Sequence, residues 1–323
     1  MPTAKKLLAT CTNTSQIISV SYTDSHVAPT STVIVNAITT TLDIGDSVTV
    51  FIGYEGDTFK VITGFVKNIE HKEAERFYVI TCSNVLVRAI DFFIASDSPD
   101  NPFSRQNISA ENLIGDLLEL AGLTNYDPDP TSFTFAINNP VEVNLTGCYD
   151  YCKFLADIIA FTLYADNDGV VHLINRRPYP VGAEAADYTF DVDDHQILEA
   201  SYVKSDQNLR NKVIVYGAGG ISAVASEESP YLPDDFYRTV VVAAPAVIDT
   251  QSMANQAAEY NLDLLNRLTQ KVNLTLIGTT DVVPRTIAEI IIPDIGVSGK
   301  WYVFSVEHNW SKAGYITNIE CRK

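Results

Sequence analysis

Residues 301–323, WYVFSVEHNWSKAGYITNIECRK, decide how this chain is read. Apolar and polar residues alternate, stop at Ser311-Lys312-Ala313-Gly314, and alternate again, which is the pattern of two strands joined by a tight turn. Strand periodicity places Tyr302, Phe304, Val306, His308 and Trp310 on one face, and Gly314 sits where four-residue loops favour glycine. A lone hairpin is marginal in water. A hairpin carrying Trp301, Tyr302, Phe304, Trp310 and Tyr315 therefore belongs to a larger sheet.

Further strands lie at both ends of the sequence. Residues 30–37 (TSTVIVNA) and 47–54 (SVTVFIGY) alternate, FKVITGFVKNIE follows a turn at Gly56-Asp57, and residues 76–90 read as one more strand. Short strands with turn signals between them suggest a small barrel or sandwich. A Pro, Ser and Asp run over residues 96–107 reads as a linker. Beyond it the period becomes helical. Ser109 is placed to cap a helix carrying Leu113, Ile114, Leu117 and Leu118, with Gly122 at its end. A second helix is predicted over 149–162, then a hairpin turning at Asn167-Asp168-Gly169. From about residue 187 strands resume, at 211–217, 237–245, 271–278 and 288–292, interrupted by a helix over 250–268. The expected fold class is mainly β with an α+β insertion: a first β-barrel over 1–95, an inserted helical and hairpin domain over 96–185, and a second β-barrel over 186–323 that includes one helix. No internal repeat of 20–50 residues is evident, only a loose echo between the strand-rich ends.

Composition excludes several classes. The 323 residues carry a net charge of −18, a field that repels phosphate backbones and anionic lipid. The charge is uneven: net −2 over 1–95, −9 over 96–185 and −7 over 186–323. Cys11, Cys82, Cys148, Cys152 and Cys321 are an odd, scattered set, the pattern of buried free thiols and not of a secreted disulfide framework. Lys5 and Lys6 precede an apolar run of only Leu7–Ala9, so no signal peptide is expected, and no stretch approaches the length of a membrane span.

Motifs for chemistry are few. His26, His71, His172, His195 and His308 lie far apart, and only His195 has adjacent acids, Asp193 and Asp194, which read as a solvated loop. Cys148 and Cys152 stand one helical turn apart but lack further metal ligands in sequence. The Ala165–Gly169 segment resembles a calcium loop, yet Tyr164 stands where the first acid belongs. Gly217-Ala218-Gly219-Gly220 lacks the third spaced glycine of a nucleotide loop, and Ser298 lacks the flanking pattern of a hydrolase elbow. No catalytic, cofactor-binding or metal residue is assigned, no cofactor is expected, and the chain is read as not an enzyme.

The order of parts resembles a known family. GDSVTVFIGY with FKVITGFVKNIE is similar to the opening barrel of phage tail and baseplate hub proteins, which are related to the hubs of contractile injection systems. ISAENLIGDLLELAGL and CYDYCKFLADIIAFTLYADNDGVVHL are similar to the family's two inserted helices and hairpin. NKVIVYG resembles the strand opening the second barrel, and residues 301–323 resemble its closing hairpin. The match runs in order from about residue 40; the first forty residues depart from it, as does the imperfect Thr63-Gly64-Phe65-Val66.

This resemblance implies a structural hub in the virion, synthesised in the host cytoplasm. It implies a homotrimer whose two barrels per chain form a pseudo-hexameric ring between the six-fold tail tube and the three-fold spike or tip. The implied partners are a tail tube protein, a central spike or tail-tip protein, a tape measure protein and surrounding baseplate proteins. DNA passes through the lumen during ejection without specific binding, and no membrane insertion is implied. The lining is expected to be weakly to moderately acidic, with Asp206, Glu289 and Glu307 as candidates. The alternatives are a carbohydrate-binding or cell-wall-degrading tail protein, or the hub of a bacterial contractile injection particle.

Overall fold

A computed structural model describes residues 6–96, 102–135, 140–159, 161–180, 183–192, 197–244, 247–279 and 281–323. The fold is mainly β with an α+β insertion, and its frame is one twelve-stranded sheet. Six strands come from the N-terminal part: β1 Leu7–Cys11, β2 Thr14–Ser25, β3 Thr32–Thr40, β4 Ser47–Tyr54, β5 Asp57–Lys72 and β6 Phe77–Asn84. Six come from the C-terminal part: β7 Tyr188–Asp191, β8 Ile197–Ser205, β9 Thr269–Ile277, β10 Ile287–Ile292, β11 Val297–Ser311 and β12 Gly314–Arg322.

The first six strands run β1-β4-β5-β6-β3-β2, and a further pairing of Cys11 with Thr14 joins β2 back to β1, closing a barrel. Alternation fills it. Val33, Val35 and Ala37 of β3, Val48, Val50 and Ile52 of β4, and Ile80 and Cys82 of β6 point inward and are buried, while their neighbours face out. The second six run β7-β10-β11-β12-β9-β8. With the strands of each half numbered one to six in chain order, both halves follow the same order, 1-4-5-6-3-2. They differ in sense at one place, since β1–β4 is antiparallel and β7–β10 parallel.

One ladder joins the halves. Ser19–Ser25 of β2 pairs antiparallel with Ser305–Ser311 of β11, on the edge of β11 that Val297–Tyr302 gives to β10. A bulge between Val303 and Ser305, where β11 pairs with β12, shifts the parity of the strand. Trp301 and Val303 before the bulge and Val306 after it reach the second-barrel core, Trp310 reaches the first, and Tyr302 and Phe304 pack with Ile287. The single shared face expected from periodicity is therefore split by one extra residue. The hairpin loop is also tighter than expected: Ser311 pairs with Gly314, leaving only Lys312-Ala313 between the strands.

The strand expected over 76–90 stops at Asn84 and gives way to the short helix α1, Val87–Asp91, whose Val87 and Ala89 are buried with Leu86. Helices α2 Ala110–Leu120 and α3 Cys148–Ile159 fall close to their expected spans. Their buried faces form one core with residues from a second excursion, in which Lys212–Tyr216 lies between Ser222–Ser226 and Thr239–Ala243 under helix α4, Gln251–Leu265. The Oγ1 atom of Thr250 caps α4 by accepting from the Met253 amide at 3.3 Å. The hairpin of Thr162–Ala165 and Val171–Ile174 turns as expected, with Asp166 Oδ1 accepting from the amides of Asp168 and Val170.

Candidate functional site

The polar residues that converge in this fold do so where the two barrels and the inserted hairpin meet. Asp24 lies at the end of β2, on the strand whose alternation turns it inward after Tyr22; its side chain is 7% exposed. Arg285 lies in the segment entering β10 and is held in place by its amide, which donates to the Val303 carbonyl. Its φ of 72° is a conformation that costs a non-glycine residue about 1 kcal/mol or more. The guanidinium forks onto Asp24, Nη1 to Oδ2 at 2.9 Å and Nη2 to Oδ1 at 3.3 Å, and Nη2 also donates to the Ser25 carbonyl at 2.8 Å. Tyr164, from the inserted hairpin, lies against it with its ring centroid 4.2 Å from the guanidinium carbon.

The hairpin is tied in twice more. Tyr22 donates its hydroxyl to Asn167 Oδ1 at 3.2 Å, and Lys60 of β5 pairs with Asp168 at 2.5 Å. Gly169, at φ 85°, brings the turn so close to β5 that a Cβ there would sit 3.3 Å from Thr63. Burial pushes the Tyr22 phenol well above its ordinary range, with the Asp24 charge adding to the effect, so Tyr22 remains a donor. Burial also opposes the charge on Arg285, yet Asp24 beside it raises the pKa overall, and the guanidinium stays ionised. A bidentate pair removed from water in this way is strongly orienting. It locks three parts of the chain into one geometry; no group here is poised to attack a substrate.

His308 occupies the neighbouring seam. It is fully buried, with its ring centroid 5.7 Å from that of Tyr22 and 5.0 Å from that of Phe59. Nε2 lies 3.0 Å from the Val282 carbonyl, which can only accept, so Nε2 carries the proton. Nδ1 then accepts, from Tyr315 Oη at 2.9 Å or Thr317 Oγ1 at 3.0 Å. Burial lowers its pKa to about 4, which keeps it neutral. Nearby, Trp310 Nε1 donates to the Gly53 carbonyl at 3.3 Å and Tyr54 donates to the Gly278 carbonyl at 3.1 Å, binding barrel to barrel.

The motifs weighed in the sequence do not converge on a reactive site. Asp193, Asp194 and His195 lie outside the described residues. Cys148 and Cys152 are buried on α3, where Cys148 donates to the Leu117 carbonyl. Among the described residues, no group of three or more His, Cys, Asp and Glu is arranged to hold a metal. Gly217 leads from one strand through a single 3-10 turn into another, and a Cβ there would fall 2.4 Å from the Ile248 carbonyl, so no helix N-terminus faces a phosphate. His172 pairs with Asp166 at 3.0 Å inside the hairpin, an interaction that raises its pKa. Of the acids named for a channel lining, Asp206 pairs with Arg238 at 2.9 Å, Glu289 lies opposite Lys300, and Glu307 lies on β11 accepting from Asn318. Sequence reasoning missed Asp24 and Arg285, because 261 residues separate the two and neither belongs to a motif.

No family profile and no curated protein matches the chain. Solved structures do. The 43 kDa tail protein of prophage MuSo2 from Shewanella oneidensis superposes with a TM-score of 0.73 at 15% identity, over 98% of each chain. A tail protein from Neisseria meningitidis MC58 gives 0.70 at 11% identity, over 98% of this chain and 96% of that one. The prophage tail protein gp18 from Listeria monocytogenes gives 0.59 at 13% identity, over 97% and 90%. At these identities the likeness is one of fold: this chain has the fold of phage tail proteins from end to end.

Proposed function

We propose that this chain is a structural protein of a phage tail or baseplate: the hub that joins a six-fold tail tube to a three-fold spike or tip. One observation carries the reading. Two barrels with the same strand order lie side by side in one chain, joined by the β2–β11 ladder into a continuous sheet. Three copies then supply six similar units, which matches a six-fold neighbour on one side and keeps three-fold symmetry for the other. The barrels, 1–95 and 186–323, are the tube-forming parts. The unit 96–185 is the insertion, and the excursion 212–265 packs into its core.

The sheet face shared by both barrels suits a passage wall. Ser19 and Ser21 of β2, Asn36 of β3, Asn309 and Ser311 of β11, and Asn318 of β12 lie outside the cores. They bond to one another, as in Ser21 to Asn309 at 2.9 Å and Asn36 to Ser19 at 2.8 Å. Glu307 stands among them and gives this part of the face a negative sign, and the two bases further along the same face, Lys271 and Arg322, are both paired with Glu320. Such a wall repels a phosphate backbone and offers it no basic grip. Imaging of the purified protein tests the reading: it predicts three-fold particles with a central opening, and particles without one contradict it.

A further inference from the structure

The duplication of the barrel extends to individual residues, and the matching positions are fixed by bulges. In β2 the pairing with β3 slips between Ile17 and Ser19; in β8 the pairing with β9 slips between Ile197 and Glu199. In β5 the pairing with β6 slips between Val66 and Asn68, and in β11 the pairing with β12 slips between Val303 and Ser305. Bulges are structural features with fixed positions, so they align the halves without reference to sequence. The residues then coincide. Ser21-Tyr22-Thr23-Asp24-Ser25 falls on Ser201-Tyr202-Val203-Lys204-Ser205, Val306-Glu307-His308 falls on Ile69-Glu70-His71, and Ile319-Glu320-Cys321 falls on Ile80-Thr81-Cys82.

Inside the chain, the second strand of the first barrel pairs with the fifth strand of the second barrel: β2 with β11. The reciprocal pair is β8 with β5, and no such ladder is present among the described residues. Among the described residues β8 pairs only with β9, leaving its other edge open with Val203 50% exposed. Strand β5 gives Asp57–Phe65 of one edge to β4 and Val66 to the turn at Gly45-Asp46, and among the described residues the rest of that edge, through Lys72, carries no strand. This repeats β11, which gives Val297–Tyr302 to β10 and the remainder of the same edge to β2. An open strand edge of this kind is a template for pairing with another chain.

We propose that β8 of one copy pairs antiparallel with the far end of β5 of the next copy, in the register that the β2–β11 ladder displays. Ser201–Ser205 then lies along Asn68–Lys72, with Tyr202 opposite His71 as Tyr22 is opposite His308, and Val203 opposite Glu70 as Thr23 is opposite Glu307. His71, which rests against Tyr78 on one side at 4.6 Å, gains a second aromatic partner. The contact is heterologous and repeats from copy to copy, so it closes a ring or grows a fibre according to the rotation it imposes. This inference rests on the trimeric reading above and selects closure after three copies.

Paired cysteines test it. All five native cysteines are buried, so a mild oxidant reports on introduced thiols. Residues directly opposite in an antiparallel pair have Cα atoms about 4.5–5.5 Å apart, within disulfide range. The chain carrying Val203→Cys and Glu70→Cys is predicted to give a covalent ladder ending at the trimer on non-reducing gels. The chain carrying Lys204→Cys and Glu70→Cys, whose side chains fall on opposite faces of the pleat, is predicted not to. The native mass of the unmodified chain is read in parallel. A trimer by mass that fails to cross-link at 203 and 70 overturns this pairing and leaves the ring standing. A monomer by mass with no cross-link overturns both. Cross-linked species running past three copies, or equal cross-linking of the 204 control, also overturn the pairing.

Discussion

Arg285 is the residue whose removal should loosen the molecule most for its size. In Arg285→Ala the Asp24 carboxylate, 7% exposed with the arginine in place, keeps among the described residues only the Tyr22 hydroxyl as a side-chain donor, at 3.4 Å, and Asn167 competes for that proton at 3.2 Å. The Ser25 carbonyl also loses its donor, and the ring of Tyr164 loses its cationic cover. Breaking one side of a buried ion pair costs about 3–5 kcal/mol. With a urea slope of about 3 kcal/mol per molar, the unfolding midpoint falls by on the order of 1 M or more. Alanine keeps the left-handed backbone at φ 72°, so Arg285→Gly should recover about 1 kcal/mol of the loss. The double replacement Asp24→Leu with Arg285→Met removes both charges and should cost less than either single change, because no buried charge is left alone. The readout is urea unfolding followed by the fluorescence of Trp301 and Trp310, both buried. A loss below about 1 kcal/mol in Arg285→Ala, or a double variant costing the sum of the singles, would refute the claim that this pair holds the junction.

Three further outcomes follow from the same structure. A Cβ on Gly278 would lie 2.1 Å from Tyr315 Cγ, so Gly278→Ala should destabilise by about 1–3 kcal/mol through overpacking, read in the same urea experiment. Acidification should destabilise the fold below the ordinary histidine range: burial lowers His308 to about 4 and His26 to about 3, from 6.5. The unfolded chain then binds protons first. The stability carried by these neutral rings is complete above about 6.5 and is lost as pH falls toward the folded values, at up to about 1.4 kcal/mol per pH unit for each. His308→Gln should remove one of the two slopes; His172, raised by Asp166, acts in the opposite direction as pH rises. Replacing Asp193, Asp194 and His195 with Ala should leave folding and assembly within about 0.5 kcal/mol. A peptidoglycan-cleavage assay should read zero before and after, and activity lost on these changes would favour a wall-degrading enzyme.

Periodicity made the strands legible: Ser47–Tyr54 begins and ends where alternation begins and ends, and α2 follows its apolar stripe. Two of the errors share one cause, the insertion of a residue or a turn that leaves hydrophobicity unchanged; a third, the strands at 212–216 and 239–243 expected in the second barrel, lies in a separate three-stranded sheet that packs into the core of the insertion. The bulge near Phe304 divides one apolar face into two, and the turn at Val85-Leu86 starts a helix amid residues that are apolar in either state. The loose echo between the ends of the sequence turned out to be a matched strand order. It is hard to see in sequence because the shared pieces, such as Ser21–Ser25 and Ser201–Ser205, are five residues long and are aligned only by their bulges. The Asp24–Arg285 junction was not legible, since nothing local in the sequence distinguishes a buried pair from two surface charges.

The central claim is that one chain supplies two of six units in a closed ring. Sedimentation equilibrium of the purified chain at high concentration and low salt tests it most directly, because self-association driven by repeated contacts follows mass action. The account predicts a species at three times 35.5 kDa, dissociating on dilution without passing through a stable dimer. A particle that stays at 35.5 kDa across the whole concentration range would contradict it.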